Sequence, residues 1–153
     1  MMRLFLVQHG EAKSKAEDPE SGLTDGGAEV AARVAARLAA AAVEVSEIRH
    51  SGKRRAEQTA AIFARVLAPV QGVSAASGLD PNDDILPLAE SLRETHGGLM
   101  IVGHLPFLGR LAGFLLTGDA GREVVRFHNA GVVCLAEEDG AWHVEWALVP
   151  PLA

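Results

Sequence analysis

The sequence predicts an α/β fold with three layers, in which a mainly parallel sheet lies between helices and ends in an antiparallel hairpin at one edge. Short apolar segments typical of strands alternate with segments of helical periodicity, which is the pattern of a parallel sheet covered by helices. Near the C-terminus, two strand-like segments follow one another across Asp139-Gly140, a signal for a tight hairpin. The 153 residues, 48% of them hydrophobic, fit a single domain over residues 1–153.

The first strand and the first helix are indicated by a change from a short apolar run to helical periodicity. Arg3–Gln8 is predicted as a buried strand and residues 13–23 as a polar loop. Thr24 is suited to cap a helix that runs to about Ala41. One face of that helix is apolar at intervals of four residues, at Val30, Val34 and Leu38.

The rest of the chain continues this alternation. Glu47–His50 is predicted as a second strand, and Ser51 or Gly52 leads into a helix over about Lys53–Leu67. A weaker strand, interrupted by glycine, is predicted within Val70–Leu79. The remaining predicted elements are a helix at about Pro87–Thr95, a buried strand at Leu99–Val102, a helix at Pro106–Leu116 and the hairpin strands Gly131–Ala136 and Ala141–Leu148.

Composition argues against several classes of protein. With 14 basic and 20 acidic residues the net charge is −6, so the broad cationic surface of a nucleic-acid-binding protein is not expected. No apolar stretch approaches the roughly 20 residues that cross a membrane, and no signal-peptide pattern is present, so we expect a cytoplasmic protein. No histidine pair has close metal-ligand spacing on one helix or strand, so the spacing does not indicate a metal site.

Polar residues directly follow three of the predicted strands. They are Gln8-His9-Gly10, His50-Ser51 and Gly103-His104, and Arg55 lies in the helix after the second of them. Because the carboxyl ends of parallel strands share one edge of a sheet, where ligands of open α/β sheets bind, we expect these groups to converge. Helix N-termini at that edge also offer free N–H groups to phosphate. The sequence therefore predicts a phosphoryl-transfer pocket with a histidine nucleophile.

Four ordered motifs resemble a known family. They are Leu6-Val7-Gln8-His9-Gly10-Glu11-Ala12, Leu23-Thr24, Ser51-Gly52-Lys53-Arg54-Arg55-Ala56-Glu57-Gln58-Thr59-Ala60 and Val102-Gly103-His104-Leu105-Pro106. In this order they are similar to the SixA-type phosphohistidine phosphatases of the histidine phosphatase superfamily, which also contains the phosphoglycerate mutases. The resemblance runs over nearly the whole chain and implies a phosphoglycerate mutase-like fold.

The resemblance implies a role for three residues. His9 falls on the family's nucleophile, which attacks phosphorus and forms a phosphohistidine that water then hydrolyses. Arg55 falls on a phosphate-binding arginine, whose planar fork suits phosphoryl oxygens. His104 falls on the second family histidine, which adds positive charge opposite the developing negative charge if it is protonated. This scheme requires neither a metal nor an organic cofactor, so we expect a metal-independent phosphohydrolase without cofactors.

Two arginines of the family pattern are missing. Gln8 stands where the first motif usually has an arginine, and Ser21 stands where SixA-like proteins tend to carry one before Leu-Thr. Glutamine can donate an N–H but has no charge, and the loss of one preorganised donor can lower a rate roughly a hundred- to a thousand-fold. Lys13, Lys53 or Arg54 could compensate from neighbouring loops.

The general acid is the least determined role. Larger superfamily members use a carboxylic acid from the loop after the third strand, where this chain offers Asp80, Asp83 and Asp84. Asp80 is our candidate, with Glu11 as the alternative. Each also has a plain structural interpretation, since the aspartates suit turns or helix caps and Glu11 suits a solvated loop.

Several other side chains carry structural predictions. The single cysteine, Cys134, lies in an apolar run and is predicted as a buried core thiol. Trp142 and Trp146 alternate with Val144 and are predicted to pack on the same face of the last strand. His50 lies close enough to the second strand end to line the pocket.

The predicted function is a phosphatase in which Gln8, His9, Arg55 and His104 hold the phosphoryl group. Its substrate would be a phosphorylated protein, carrying phosphohistidine, or a small phosphoester. The alternative is a catalytically weak or inactive member of the same fold that binds phosphate or phosphorylated proteins. A mutase is disfavoured because the chain is short for the insertions that enclose sugar phosphates.

Overall fold

The computed structural model describes residues 1–153 and contains one six-stranded sheet. The strands are β1 (Met2–Gln8), β2 (Glu47–His50), β3 (Val73–Ala75), β4 (Gly97–Gly103), β5 (Val132–Glu138) and β6 (Ala141–Leu148). The helices are α1 (Asp25–Ala40), α2 (Arg54–Leu67), α3 (Leu86–Ser91) and α4 (Phe107–Thr117), with short 3-10 helices at Leu92–Glu94 and Pro150–Leu152. None of these helices has the length and apolar composition needed to cross a bilayer.

The sheet has the order β3-β2-β4-β1-β5-β6. The pairs β2–β3, β2–β4 and β1–β4 are parallel, while β5 runs antiparallel to β1 and pairs with β6 as a hairpin. The predicted mainly parallel sheet with an antiparallel hairpin edge is therefore confirmed. In this order β2, β4 and β1 are neighbours, so their carboxyl ends lie side by side.

Two hydrophobic cores lie on the two faces of the sheet and complete the three layers. Phe5 and Val7 of β1 face the core formed with α1 and α2. Leu4 and Leu6 of the same strand face the core formed with α3 and α4. Because neighbouring residues of a strand point to opposite faces, a strand buried on both sides must be apolar at every position. This accounts for the uninterrupted apolar run that precedes His9.

Most predicted boundaries agree with the structure to within two residues, and two elements differ. The strand predicted within Val70–Leu79 is only three residues long, Val73–Ala75, and all three are exposed. The helix predicted over Pro87–Thr95 is α3 followed by a turn of 3-10 helix. The strand lies at the edge of the sheet, where little apolar burial supports regular hydrogen bonding.

The prediction that the two tryptophans share a face is wrong. Trp142 packs against the core on the α4 side, whereas Trp146 packs against the α1 side with its ring centroid 6.0 Å from that of Phe5. The cause is a register shift between β5 and β6, in which Cys134 pairs with Trp146 but the next residue pairs with Val144. A bulge of this kind inserts one extra residue and reverses the alternation beyond it. Cys134 itself is fully buried, as predicted.

Candidate active site

The polar residues that follow β1, β2 and β4 converge at one edge of the sheet. His9 follows β1, and its backbone N–H donates to the Gly103 carbonyl at the end of β4 over 3.0 Å. His104 follows β4, and the centroids of its ring and the His9 ring are 5.1 Å apart, with planes tilted by 53°. Ser51 follows β2 and contacts His104 at 2.7 Å. The structure therefore brings together the two histidines that the sequence singled out.

A hydrogen bond fixes the tautomer of the His9 ring. Its Nδ1 lies 2.7 Å from the Gly10 carbonyl oxygen, and because a carbonyl only accepts, Nδ1 carries the proton and donates. Nε2 then retains its lone pair. The pKa of His9 is lowered from its ordinary value, chiefly by burial and also by the charge of Arg55, although the bond to Gly10 acts in the opposite direction. The ring is therefore a neutral imidazole near pH 7.

His104 is almost fully buried and is also held neutral. Its Nε2 lies 2.7 Å from Ser51 Oγ, and that hydroxyl oxygen accepts from the Lys53 backbone N–H over 3.3 Å. Burial, followed by the neighbouring charges of His9, Arg55 and Lys53, lowers the pKa of His104 to about 3. The imidazolium that the sequence analysis considered is therefore disfavoured by these neighbours. An anionic phosphoryl group bound beside His104 would instead raise the pKa of this histidine.

The low pKa of His104 predicts a pH-dependent stability. The unfolded chain takes up a proton near pH 6.5 but the folded protein only near pH 3, so the free energy of unfolding should fall as the pH drops through that window. One such proton gives a slope of at most about 1.4 kcal/mol per pH unit. Urea unfolding between pH 7.5 and 4.5 should show a smaller slope for His104→Asn than for the wild type. Equal slopes would contradict the assignment, because His9 and His50 contribute alike to both proteins.

Arg55 lies in the first turn of α2, close enough to both rings for its charge to lower the pKa of each histidine. No carboxylate lies within ion-pairing distance of its guanidinium. Its position relative to His9 is set through Thr59, which is fully buried. The Thr59 hydroxyl donates to the Arg55 carbonyl over 2.8 Å and accepts from the Gly10 backbone N–H over 2.9 Å. This hydroxyl ties the helix to the turn that follows β1.

Three contacts at the site were not foreseen from the sequence. Thr59 and Ser51 belong to the quoted motifs but received no role at the site, although a lone threonine on the buried face of an amphipathic helix is a visible signal. Asn129 gave no signal at all. Its side-chain N–H donates to the His9 carbonyl over 2.9 Å, and the next residue donates its backbone N–H to Gln8. This residue comes from the loop between α4 and β5, 120 positions from His9.

The two positions where arginines were expected have different environments. Gln8 ends β1 and is half-buried, and its backbone carbonyl accepts from the Ala130 N–H over 2.8 Å. Ser21 is buried and adopts a positive φ of 48°. The backbone beside it is anchored to α2, since the Leu23 N–H donates to Gln58 Oε1 over 2.7 Å. The loop carrying Ser21 is thus held against the helix that carries Arg55.

The three candidate compensating cations lie in different places. The charge of Lys53 lowers the pKa of His104, so this ammonium lies near the pocket. Arg54 forms a 3.6 Å ion pair with Glu20 beside the pocket. The pKa of Asp18 is lowered mainly by the backbone N–H groups of Gly22 and Glu20, and the charge of Lys13 adds to this effect. Lys53 is therefore the candidate nearest to the two histidines.

Neither carboxylate considered as a general acid contacts the two histidines. Asp80 is exposed in the loop after β3, and its backbone N–H donates to Asp83 over 2.8 Å, as in a turn. That loop does reach the correct edge, because the preceding residue lies beside Gly103. Glu11 accepts from the Thr24 hydroxyl over 2.9 Å at the start of α1. Its carboxylate supports the helix start.

His50 serves the turn into α2. Its Nδ1 accepts from the Gly52 backbone N–H over 3.1 Å, and burial lowers its pKa. No group of three or more His, Cys, Asp or Glu side chains has an arrangement that could hold a metal ion.

The turn after His9 packs tightly against the start of α1, and this predicts opposite effects for two neighbouring glycines. A Cβ on Gly27 would lie 2.3 Å from the Glu11 backbone oxygen, whereas a Cβ on Gly26 would meet only Thr24 Oγ1, at 4.0 Å. Gly27→Ala should destabilise the protein by roughly 1–3 kcal/mol. Gly26→Ala should stabilise it by up to about 1 kcal/mol through helix propensity. Urea unfolding of both variants tests this, and equal shifts would contradict the close approach.

Comparison with solved structures identifies the fold. SixA, a protein histidine phosphatase solved with tungstate, is 24% identical, with 98% of each chain covered and a TM-score of 0.86. An Agrobacterium tumefaciens protein, named provisionally as the phosphohistidine phosphatase SixA, is 21% identical over 96% of this chain and 97% of the other, with a TM-score of 0.77. An Escherichia coli protein, named provisionally as an alpha-ribazole-5'-P phosphatase, is 16% identical over 98% of both chains, with a TM-score of 0.82. These similarities confirm the phosphoglycerate mutase-like fold.

Comparison of the sequence with protein families gives a more specific result. A search of curated proteins finds no match. The model of the histidine phosphatase superfamily, branch 1, matches residues 4–80, which is about half of the chain and includes His9 and Arg55. His104 lies beyond the matched segment but at the same edge of the sheet. The chain therefore belongs to the histidine phosphatase superfamily.

Proposed function

We propose that this protein is a metal-independent phosphatase that uses His9 as its nucleophile and passes through a phosphohistidine intermediate. Family membership supports a phosphatase activity in general. The observation that carries the specific proposal is the His9 ring itself. Its Nδ1–H is engaged by the Gly10 carbonyl, its Nε2 is free, and it faces a second imidazole at 5.1 Å with an unpaired guanidinium nearby.

The proposed reaction has two steps. The Nε2 lone pair of His9 forms a bond to phosphorus while the bond from phosphorus to the leaving nitrogen or oxygen breaks, and the leaving atom takes up a proton. Water then attacks the phosphohistidine and gives up a proton, which balances the proton taken up by the leaving atom; the electrons of the P–N bond return to Nε2, and inorganic phosphate leaves. Arg55 and His104 bind the phosphoryl oxygens, and Gln8 donates from its side-chain amide. The Gly10 carbonyl accepts from Nδ1–H throughout and stabilises the positive ring formed in the first step.

The substrate we propose is protein phosphohistidine or a small phosphoester. SixA, with its tungstate-bound structure, is a protein histidine phosphatase, and its fold covers this chain almost completely. The candidate pocket also opens at an edge lined by exposed loops, where a side chain of another protein can enter. A screen of phosphorylated proteins and metabolites, run with the wild type and His9→Ala, tests the proposal. Hydrolysis that is equal in the two proteins would reject it.

Asp80 remains our candidate for the general acid, and the proposal predicts a dependence on the leaving group. An alkoxide leaving group is a much stronger base than 4-nitrophenolate, so its departure depends far more on a proton from a general acid. Asp80→Asn should therefore lower kcat/KM for an alkyl phosphate by about a hundredfold or more, but that for 4-nitrophenyl phosphate only a few-fold. Asp84→Asn is a suitable control on the same exposed loop. Equal losses on both substrates would assign Asp80 a structural role instead.

One observation favours a second function, the binding of phosphate or phosphorylated proteins without efficient turnover. Gln8 and Ser21 stand where two positive charges are expected, so the pocket has fewer groups that stabilise a transition state. Calorimetry with inorganic phosphate beside turnover assays distinguishes the two functions. Binding with no hydrolysis across diverse phosphoesters supports the binding function, and hydrolysis that depends on His9 supports the enzyme.

A further inference from the structure

A polar cleft lies beside the candidate pocket, between the loop that follows β1 and the start of α2. We call it the basic cleft, and its lining includes Lys15, Glu20, Ser21, Lys53, Arg54 and Arg55. It has a volume of about 390 Å³ and no hydrophobic residue in its lining. Arg55 belongs to both the pocket and the cleft. The cleft and the candidate pocket are therefore adjacent, with Arg55 between them.

The basic cleft concentrates positive charge on a protein whose net charge is −6. Four cationic side chains line it against two carboxylates, those of Glu20 and Glu57. Lys15 and Lys53 form no ion pair. A cleft with little apolar surface offers an apolar group little to bury against, whereas its unpaired cations attract an anion.

The single ion pair in the cleft is weak. Arg54 Nε and Glu20 Oε2 are 3.6 Å apart, and the two side chains are 48% and 72% exposed. Exposed pairs of this kind contribute little, so an anionic ligand can replace the Glu20 carboxylate. Arg54 also lies against the Ser21-Gly22 backbone, since a Cβ on Gly22 would be 3.5 Å from its Nε. Its guanidinium thus places a positive charge beside this segment, near the Asp18 carboxylate, whose pKa it helps to lower.

We propose that the basic cleft is a second anion subsite, which binds a carboxylate or phosphate that the substrate carries near its transferred phosphoryl group. The inference rests on the proposed phosphatase function for the identity of the first group. The second anion is either an acidic residue next to a phosphorylated side chain or the second acidic group of a small phosphoester. Lys15 and Arg54 contact it, and Arg55 lies between the two anions.

Binding of phosphonates tests the subsite without requiring turnover. Propylphosphonate and 3-phosphonopropionate have nearly the same length and differ in a terminal methyl or carboxylate. Calorimetry at 0.1 M salt should show about threefold to tenfold tighter binding of the carboxylate compound to the wild type. The preference should shrink at 1 M salt, where the Debye length falls from about 10 Å to about 3 Å. Two peptides test whether the second anion comes from a protein substrate. Both carry a phosphonate analogue of phosphohistidine, which is flanked by two glutamates in one peptide and by two glutamines in the other.

Variants give the decisive comparison. We define the preference as the affinity for 3-phosphonopropionate divided by that for propylphosphonate. This ratio should fall towards one in the double variant Lys15→Gln and Arg54→Gln, and it should rise in Glu20→Gln. It should stay unchanged in Arg65→Gln, at the exposed far end of α2. Lys53 is left intact because its charge also reaches His104. Equal affinities for the paired ligands in the wild type, or a preference that survives the double variant, would overturn the subsite. A clear preference in a protein that hydrolyses nothing would reject the proposed function and leave the subsite standing.

Discussion

Replacement of His9 by alanine should abolish turnover of every substrate that the wild type hydrolyses, with a loss of about ten-thousand-fold or more. The account assigns both chemical steps to the Nε2 atom, so its removal leaves no alternative covalent route. The imidazole is neutral near pH 7 because burial lowers its pKa. The acid limb of the wild-type pH profile for kcat/KM should therefore lie below pH 6.5, since protonation of Nε2 removes the nucleophile.

The controls for this variant follow from the fold. His96→Ala removes an exposed imidazole at the opposite edge of the sheet, just before β4, and should keep full activity. The free energy of unfolding of His9→Ala should change little because the ring is only partly buried and donates one hydrogen bond. A folded His9→Ala protein that retains a tenth or more of the wild-type kcat would reject the nucleophile.

The second large effect is expected at Arg55. Its guanidinium has no carboxylate partner, and its charge lowers the pKa of both histidines. We therefore expect it to bind the phosphoryl oxygens. Arg55→Gln should lower kcat/KM by roughly a hundred- to a thousand-fold. Arg55→Lys keeps the charge but loses the planar fork, and its loss should be intermediate.

A readout other than turnover separates an electrostatic role of Arg55 from a purely structural one. Its charge helps to lower the pKa of both His9 and His104, so removal of the charge should raise both values. NMR titration of the two imidazoles in Arg55→Gln and Arg55→Lys measures this directly. Only the glutamine variant should show the rise. Unchanged imidazole pKa values in Arg55→Gln would mean that the guanidinium lies outside the site.

The features of the site that could be predicted from the sequence are those that depend on a single strand and the residues that follow it. An apolar strand followed by a histidine places that histidine at the sheet edge, whatever the neighbouring strands are. Because parallel strands share that edge, His9 and His104 were predicted to meet, and their rings are 5.1 Å apart. Helix starts were predicted well where a capping side chain marks them, as Thr24 does for α1 by accepting from the Gly27 N–H.

The parts that sequence could not predict depend on pairing between distant segments. The bulge after Cys134 exists only in the register of β5 against β6, and neither strand alone reveals that Trp142 and Trp146 face opposite cores. The contact of Asn129 with the His9 carbonyl likewise requires a loop whose path is set by packing. The charge state of His104 was also hidden, because burial and the neighbouring groups His9, Arg55 and Lys53 determine it together.

The sequence leaves open whether other cations replace the charge of the two missing arginines. The structure shows which cations lie near the two positions. Ser21 is buried in a tight turn and offers no charge to the pocket. Lys53 lies near His104, and Arg54 lies beside Ser21 in the basic cleft. Two cations that follow β2 therefore stand around the position where the serine replaces the expected residue. These cations can attract a phosphorylated ligand in either of the two proposed functions.

The central claim is that the phosphoryl group becomes covalently attached to His9, and rapid-quench trapping tests it most directly. The best substrate from the screen, labelled with ³²P, would be mixed with excess enzyme, quenched in alkali and digested for mass spectrometry. We predict an acid-labile, alkali-stable phosphoryl group on His9 that forms and decays within one turnover and is absent from His9→Ala. Turnover with no labelled enzyme, or a label on any other residue, would contradict the account.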